Sequence, residues 1–258
     1  MAPRSLWNGT VSVGLVHVPV KLYSATESKT IHFHEVHLSD GGRVEHRRFC
    51  EKEEREVPYE EVVRGFEVGK GSYVALEKDE VEAAAGGAGH LIEVEHFVRV
   101  EDIDPVFYDR AYYLGSVEKA KDGYRVLHDA LERTGRAAIG RFTFHNREYL
   151  AAIRPFDGVL ALHTLHFADE VVERGDLDYS KPRKGAGDRE VKMAGRLVES
   201  LHEDFDPKRY KDEYRKAVLD VIEQKAAGKE IASPEEDEPE DSSDLMSALE
   251  ASLDGGGR

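Results

Sequence analysis

A chain of 258 residues that is 40% hydrophobic, with a formal net charge of −16, has room for one sizeable domain with appendages or for two small ones. Its one cysteine, Cys50, excludes an intrachain disulfide framework and suits a reducing, cytoplasmic compartment. No apolar run approaches the ~18 residues of a membrane span, and the opening MAPRSLWNGTVSVGL lacks the apolar core of a secretory leader.

In chain order, residues 10–20 (TVSVGLVHVPV) alternate and are rich in valine, which predicts a strand, with Pro19 near an edge or a strand end. Residues 30–38 alternate as well. Ser39-Asp40-Gly41-Gly42 is a turn signal, and residues 43–49 return as a second strand, so a hairpin is expected. Further strands are expected at 72–76, 91–100, 110–114, 137–144, 148–155 and 159–167, with a β-turn at His145-Asn146. A helix is expected at 122–134 with Val126, Ala130 and Leu131 on one side. Many short strands at close spacing favour a closed or nearly closed barrel over a doubly wound sheet.

The period then changes. Val191, Ala194, Leu197, Val198, Leu201 and Phe205 fall at helical spacing. Asp206-Pro207 reads as a cap and first-turn proline, and Tyr214, Ala217, Val218, Val221 and Ile222 mark a second amphipathic helix that Gly228 stops. ASPEEDEPEDSSD after Ile231 is an acidic linker with no means of building a core. It ends in DLMSALEASL, where Leu245, Leu249 and Leu253, with Met246 beside them, form a short apolar stripe.

Charge is unevenly spread. Residues 230–258 hold ten acids and one base, whereas 119–154 hold eight bases and four acids, and 181–196 six bases and two acids. A chain that is acidic overall can therefore present a basic surface locally. The segment HFHEVHLSDGGRVEHRRFC (32–50) concentrates this question. On a strand, His32 and His34 share one face, a spacing suited to a metal, with Cys50 or His46 as a further ligand and a metal-dependent hydrolase as the corresponding enzyme. A solvated hairpin is a second reading. A ribbon that touches phosphate through Lys29, His32, His34, Arg43, Arg47 and Arg48 is a third. Its arm of about eleven residues spans roughly 35 Å at strand rise, enough to cross a duplex. Composition alone leaves the three open. His17 and His163 read as structural, and AAAGGAG (83–89) lacks the GK[ST] ending of a phosphate loop.

The flanking sequence decides among them. RSLWNGTVSVGLVHVPVKLYSATE (4–27), FHEVH (33–37), DPVFYDRAYYL (104–114), ALERTGRAAIGRF (130–142), YLAAIRPFDGVLALHTLHFADEV (149–171), KMAGRLVESLHEDFDPKRYKDEY (192–214) and DLMSALEASL (244–253) resemble, in order, the bacterial Ku family of DNA end-binding proteins in non-homologous end joining. The resemblance covers nearly the whole chain. It implies a mainly β fold with added helices: a Ku-type β-barrel core over 1–180 with an extended bridge hairpin at roughly 26–65. A helical dimerisation arm would follow over 181–229, carrying Val191, Leu197, Leu201, Tyr214 and Val218. An acidic linker and short helix over 230–258 would recruit the DNA ligase LigD through Leu245, Met246, Leu249 and Leu253.

It further implies a cytoplasmic, nucleoid-associated, non-enzymatic homodimer that encircles double-stranded DNA ends without reading sequence, with no catalytic residue, metal or cofactor and no membrane. For the barrel, Arg141 and Arg147 are the expected phosphate contacts, beside the bridge residues already named. Two departures stand out. Many relatives carry CxxC after the hairpin, where this chain has CEKE with Glu53 in the second position, and the lysine-rich tail of some relatives has no counterpart in LDGGGR.

Overall fold

The computed structural model describes residues 4–77, 79–80, 90–145, 147–173, 175 and 187–229. The chain divides into two compact units, Met1–Lys29 with Phe33–Asp176 and Thr30–His32 with Leu177–Arg258. The first is built on seven strands: β1 (Trp7–Val13), β2 (Val16–Ser24), β7 (Leu91–Arg99), β8 (Tyr108–Ser116), β9 (Arg136–Phe144), β10 (Arg147–Phe156) and β11 (Val159–Leu165). They close into a barrel, as the strand spacing predicts, in the order β1-β2-β8-β11-β10-β9-β7. The seam is a short parallel pairing of β1 with β7, in which the Thr10 N–H donates to the His90 carbonyl at 2.9 Å.

The valine-rich opening run is two strands, not one. Gly14 takes φ +57°, a left-handed conformation that a β-branched residue resists, and turns the chain between β1 and β2. Pro19 then lies within β2, opposite Thr10. Because Thr10 gives its N–H to the β7 side, the Pro19 nitrogen also points away from β1, and pairing of β2 with β8 begins only at Val20. The proline thus sits where no ladder hydrogen bond is required.

Alternation puts one face of each strand inside. Val11, Val18, Leu22, Ile92, Leu114 and Ile153 are completely or almost completely buried. A smaller cluster on the outer face, Ile139, Ala152 and Leu165, is covered by Val98, Ile103 and Phe107. Gly140 marks a close approach of two backbones: a Cβ there would lie 2.2 Å from the Glu93 carbonyl oxygen, at a bulge between Val94 and His96 in β7.

Helix α1 (Lys121–Thr134) packs on the barrel and ends at Gly135, φ +62°. Its buried face differs from the expected one. Leu131 is buried with His128, and Tyr124 and Leu127 pack beside them, whereas Val126 is 70% exposed and Ala130 is exposed. The Tyr124 hydroxyl donates to the Leu114 carbonyl (2.6 Å) and accepts from the Leu160 N–H (2.7 Å), which ties α1 to β8 and β11. Positions 124, 127/128 and 131 form the true stripe, selected by this polar anchor, which hydrophobicity alone does not reveal.

In the second unit, α3 (Glu213–Ala226) falls where the helical period predicts, and α2 (Asp188–Ser200) does so through Val198 but ends before Leu201 and Phe205. Asp206-Pro207 caps only one 3-10 turn, Pro207–Arg209. The α3 helix starts afresh with Asp212, which accepts from the Arg215 N–H at 2.8 Å. No residue of either helix is buried: Val191 is 57% exposed and Tyr214 79%, Leu201 just after α2 is 64% exposed, and Leu197 and Val218 are partly buried. Among the described residues no helix is long and apolar enough to cross a membrane.

The revised face of α1 gives a direct test. Leu131→Ala should cost about 3 kcal/mol in denaturant unfolding, while Val126→Ala should stay within about 0.5 kcal/mol of the parent.

Candidate nucleic-acid interface

Between β2 and β7 the chain leaves the barrel. From Thr26 to Glu77 not one residue is buried, although Phe33, Leu38, Phe49, Tyr59, Phe66 and Tyr73 are each 65% to 98% exposed. The expected long hairpin is present only at its tip. A single bridge joins Val36 and Arg43, with the His37 N–H donating to Gly42 O (2.7 Å) and the Val44 N–H to Glu35 O (3.0 Å). Asp40 holds the turn by accepting from the Gly42 N–H, and that bond, followed by one from His37, keeps its carboxyl below the usual range. The arms at 30–38 and 43–49 are otherwise irregular, because neither face carries an apolar stripe and two strands without a covering layer are marginal. Two short ladders follow instead: β3 (Phe49–Cys50) with β4 (Arg55–Glu56), and β5 (Arg64–Gly69) with β6 (Ser72–Leu76).

The bridge cations are unequal. Lys29 is paired with Glu27 at 2.5 Å, and Arg47 with Glu56 at 3.0 Å and Glu45 at 3.7 Å. Arg48 lies over the Tyr59 ring, 4.6 Å from its centroid. Arg43 and Arg48 have no carboxylate partner among the described residues, and His32 and His34 are exposed. The whole excursion, 26–77, contains twelve acids and eight bases, so any basic surface on it is local. Among the described residues the one group of three metal-competent side chains within 4.8 Å is His128, Asp129 and Glu132 on α1.

The two barrel arginines chosen from sequence are both compensated. Arg141 pairs with Glu95, the bulged residue of β7, at 2.9 Å, and approaches Glu148 at 3.8 Å. Arg147 pairs with Glu170 at 2.6 Å, and Glu170 is held below the usual carboxylate range first by the Phe167 N–H and then by Arg147. Of the expected turn beside them, His145 has φ +51°, and residue 146 lies outside the described residues. The stripe Leu245, Met246, Leu249 and Leu253, the acidic linker, the glycine-rich run at 83–89 and most of the basic run at 181–189 lie outside them too.

A different outer face of the barrel carries no carboxylate in its rows. Tyr23, Tyr113, Ala161 and Arg154 are successive partners across β2, β8, β11 and β10. Directly opposite residues share a face, so these four side chains form one row. The neighbouring rows bring Lys21, Gly115 and Phe156 on one side and Ala111, His163 and Ala152 on the other. Tyr113 stacks with Phe156 (6.3 Å, 18°), and Tyr23 lies against Gly115, where a Cβ would come within 2.8 Å of its ring. Arg154 donates from Nε to His163 Nε2 at 3.2 Å and stands 5.2 Å over the Phe156 ring. His163 packs edge-on against Tyr108, and burial first, then the charge of Arg154, pushes its pKa below the ordinary value. This set is illegible in the linear sequence because its members come from four strands. The signal lay in register, which a one-dimensional pattern does not contain.

The chain matches a known family. Residues 12–193 match the family described as the Ku70/Ku80 beta-barrel domain. The chain belongs to the Ku family. Relatives named non-homologous end joining protein Ku include that of Anaeromyxobacter sp., 42% identical over 90% of this chain and 78% of the relative. Another, from Symbiobacterium thermophilum, is 42% identical over 98% of this chain and 63% of the relative. The protein of Mycobacterium tuberculosis is 38% identical over 97% and 94%.

Within this Ku barrel His163 supplies a pH test. Its folded pKa lies below the unfolded value near 6.5, so the unfolded chain takes up a proton first as pH falls. Stability from this group is complete above about pH 6.5 and is lost below it, toward the folded pKa. His163→Gln keeps an acceptor for Arg154, and thermal melts of the variant should lose less stability between pH 7.5 and 5.5 than those of the parent.

Proposed function

We propose that this chain is a non-enzymatic homodimer that encircles double-stranded DNA ends, independent of sequence, and hands them to the ligase LigD for repair of double-strand breaks by non-homologous end joining. The observation that carries the reading is the excursion over 26–77. It exposes large aromatic and aliphatic side chains and buries none. A segment of this kind gains order by being covered, and a second copy of the chain doubles each contact through two-fold symmetry. The exposed stripes of α2 and α3, with Val191, Leu197, Leu201, Tyr214 and Val218, suit an embrace of the partner in the same way. Membership of the Ku family supports the same assembly.

Affinity in such a ring comes from Lys and Arg displacing counterions at phosphates. Lys29, His32, His34, Arg43, Arg47, Arg48, Arg141 and Arg147 are the proposed contacts. Arg43 and Arg48 are ready to engage, whereas Arg47, Arg141 and Arg147 must exchange a surface carboxylate for a phosphate. An exposed pair contributes only about 0–1 kcal/mol, so that exchange is inexpensive. Topology then gives end specificity: a closed ring loads only at a terminus and slides inward, since no base contact fixes the register. The protein acts in the cytoplasm, on the nucleoid. The stripe Leu245, Met246, Leu249 and Leu253 is too short to hold a helix alone in water and folds in a groove of LigD, while the acidic linker lets it search for that partner and stay off the duplex.

Two experiments follow. In gel-shift titrations the protein should bind a linear duplex and fail to bind the same sequence as a relaxed closed circle; equal affinity for both rules out threading. Removing residues 232–258 should leave end binding within about twofold and abolish stimulation of LigD, and loss of DNA binding on truncation would contradict the assigned division of labour.

A further inference from the structure

Among the described arginines of the barrel unit, Arg154 is the one that is partly buried; all the others are exposed. Among the described residues it also has no carboxylate partner, while Arg47, Arg141 and Arg147 each have one. The nearest acid in sequence, Asp157, sits at the β10–β11 turn with φ +47° and makes no ion pair with it among the described residues. A guanidinium drawn partly out of water loses hydration and ordinarily recovers it from a counter-ion. Here the partners present are an imidazole nitrogen, a distant Pro155 carbonyl at 3.5 Å and an aromatic ring, none of them charged.

The side chain is nonetheless fixed. His163 accepts its Nε–H through Nε2, which places the imidazole proton on Nδ1, and the Phe156 ring supports the guanidinium plane. Nη2 makes no hydrogen bond among the described residues, which leaves donors of the fork for a further acceptor. Lys21, exposed and without an ion pair among the described residues, lies in the adjoining row. A planar donor, pre-oriented, half-dehydrated and set in a face whose rows contain no carboxylate, suits an anion with two acceptor oxygens.

We infer that Arg154, oriented by His163 and Phe156 and assisted by Lys21, contacts a phosphodiester of the bound duplex on the outer face of β2, β8, β11 and β10. This rests on the reading of the chain as a DNA-end binder and assigns a contact surface to it. Arg154 is the phosphate contact, and His163 is a positioning residue.

The test is the salt dependence of binding of the full chain to a blunt linear duplex, with parallel measurement of unfolding and oligomeric state. Arg154→Ala should lower the slope of log K against log salt by about 0.9 per contact, roughly 1.8 where two copies each supply one, and weaken binding at physiological salt on the order of tenfold. Arg154→Lys keeps the charge and loses the fork, so the slope should hold while affinity falls. His163→Gln should bind like the parent, and His163→Phe should lose affinity at an unchanged slope. Lys21→Gln, at an exposed site that folding does not need, should also lower the slope and serves if Arg154→Ala fails to fold. An unchanged slope in both Arg154→Ala and Lys21→Gln, with the parent binding linear DNA, overturns this assignment and leaves the end-binding reading intact. If those variants instead alter the oligomeric state at constant slope, the face is a protein contact and the assignment again falls. A parent that does not bind linear duplex sinks the end-binding reading itself.

Discussion

Closure of the barrel at the β1–β7 seam is the constraint on which the rest depends. A seven-stranded sheet left open there would expose two edges; joined through Thr10 and His90 it exposes none. Closure also assigns every strand residue to the inside or the outside by parity. The inside is an apolar core of Val, Leu, Ile and Ala with Trp7, Tyr112, Phe142 and Phe144. The outside is a set of cross-strand rows, and which charges become neighbours is decided by register alone. Around Arg141 the rows bring Glu93, and the bulge brings Glu95. Around Arg154 they bring Ala161, Tyr113 and Tyr23. Two arginines thirteen positions apart in sequence thus stand in opposite electrostatic settings.

The same logic explains why the excursion over 26–77 lies outside the barrel. It lies between β2 and β7, strands that are not neighbours in the barrel, and precedes the strand that makes the parallel seam with β1. Nothing within it repeats the period-2 apolar pattern for long enough to build a layer. It holds itself by local devices: Asp40 in one turn, Glu54 at φ +51° in the next, and Glu67 accepting from the Gly71 N–H in the third. Such devices set shape without supplying a core, and so the segment's order depends on what covers it.

Much of the barrel was legible in sequence because its strands alternate cleanly; the expected spans at 137–144, 148–155 and 159–167 each fall within about two residues of β9, β10 and β11. Failures cluster where a single residue outweighs a pattern. Gly14 divides an unbroken valine run, and Tyr124 rotates α1 so that Val126 faces outward. The partners of Arg47, Arg141 and Arg147 lie at sequence separations from 2 to 46, within reach of no periodicity argument. Arg154 was passed over for a related reason: a lone arginine in an apolar strand carries no sign in one dimension that its neighbours in space are rings and not acids.

A net charge of −16 need not oppose binding to a polyanion, provided that the acids are either remote or already engaged. At physiological ionic strength charges farther apart than about 8 Å are largely screened, so the ten acids after residue 229 matter mainly through where their linker travels. Acids on the folded surface act at closer range. Glu56, Glu95 and Glu170 each hold an arginine and so mask it until a stronger anion arrives. A phosphate row offers many charges at fixed spacing and releases counterions as it binds, which a solitary surface carboxylate does not. In the proposed complex with DNA, Arg43, Arg48 and Arg154 would need no exchange, having no carboxylate partner among the described residues. For the arginines that are paired, the exchange would cost little, because an exposed ion pair is worth only about 0–1 kcal/mol, and the release of counterions from the duplex offsets it.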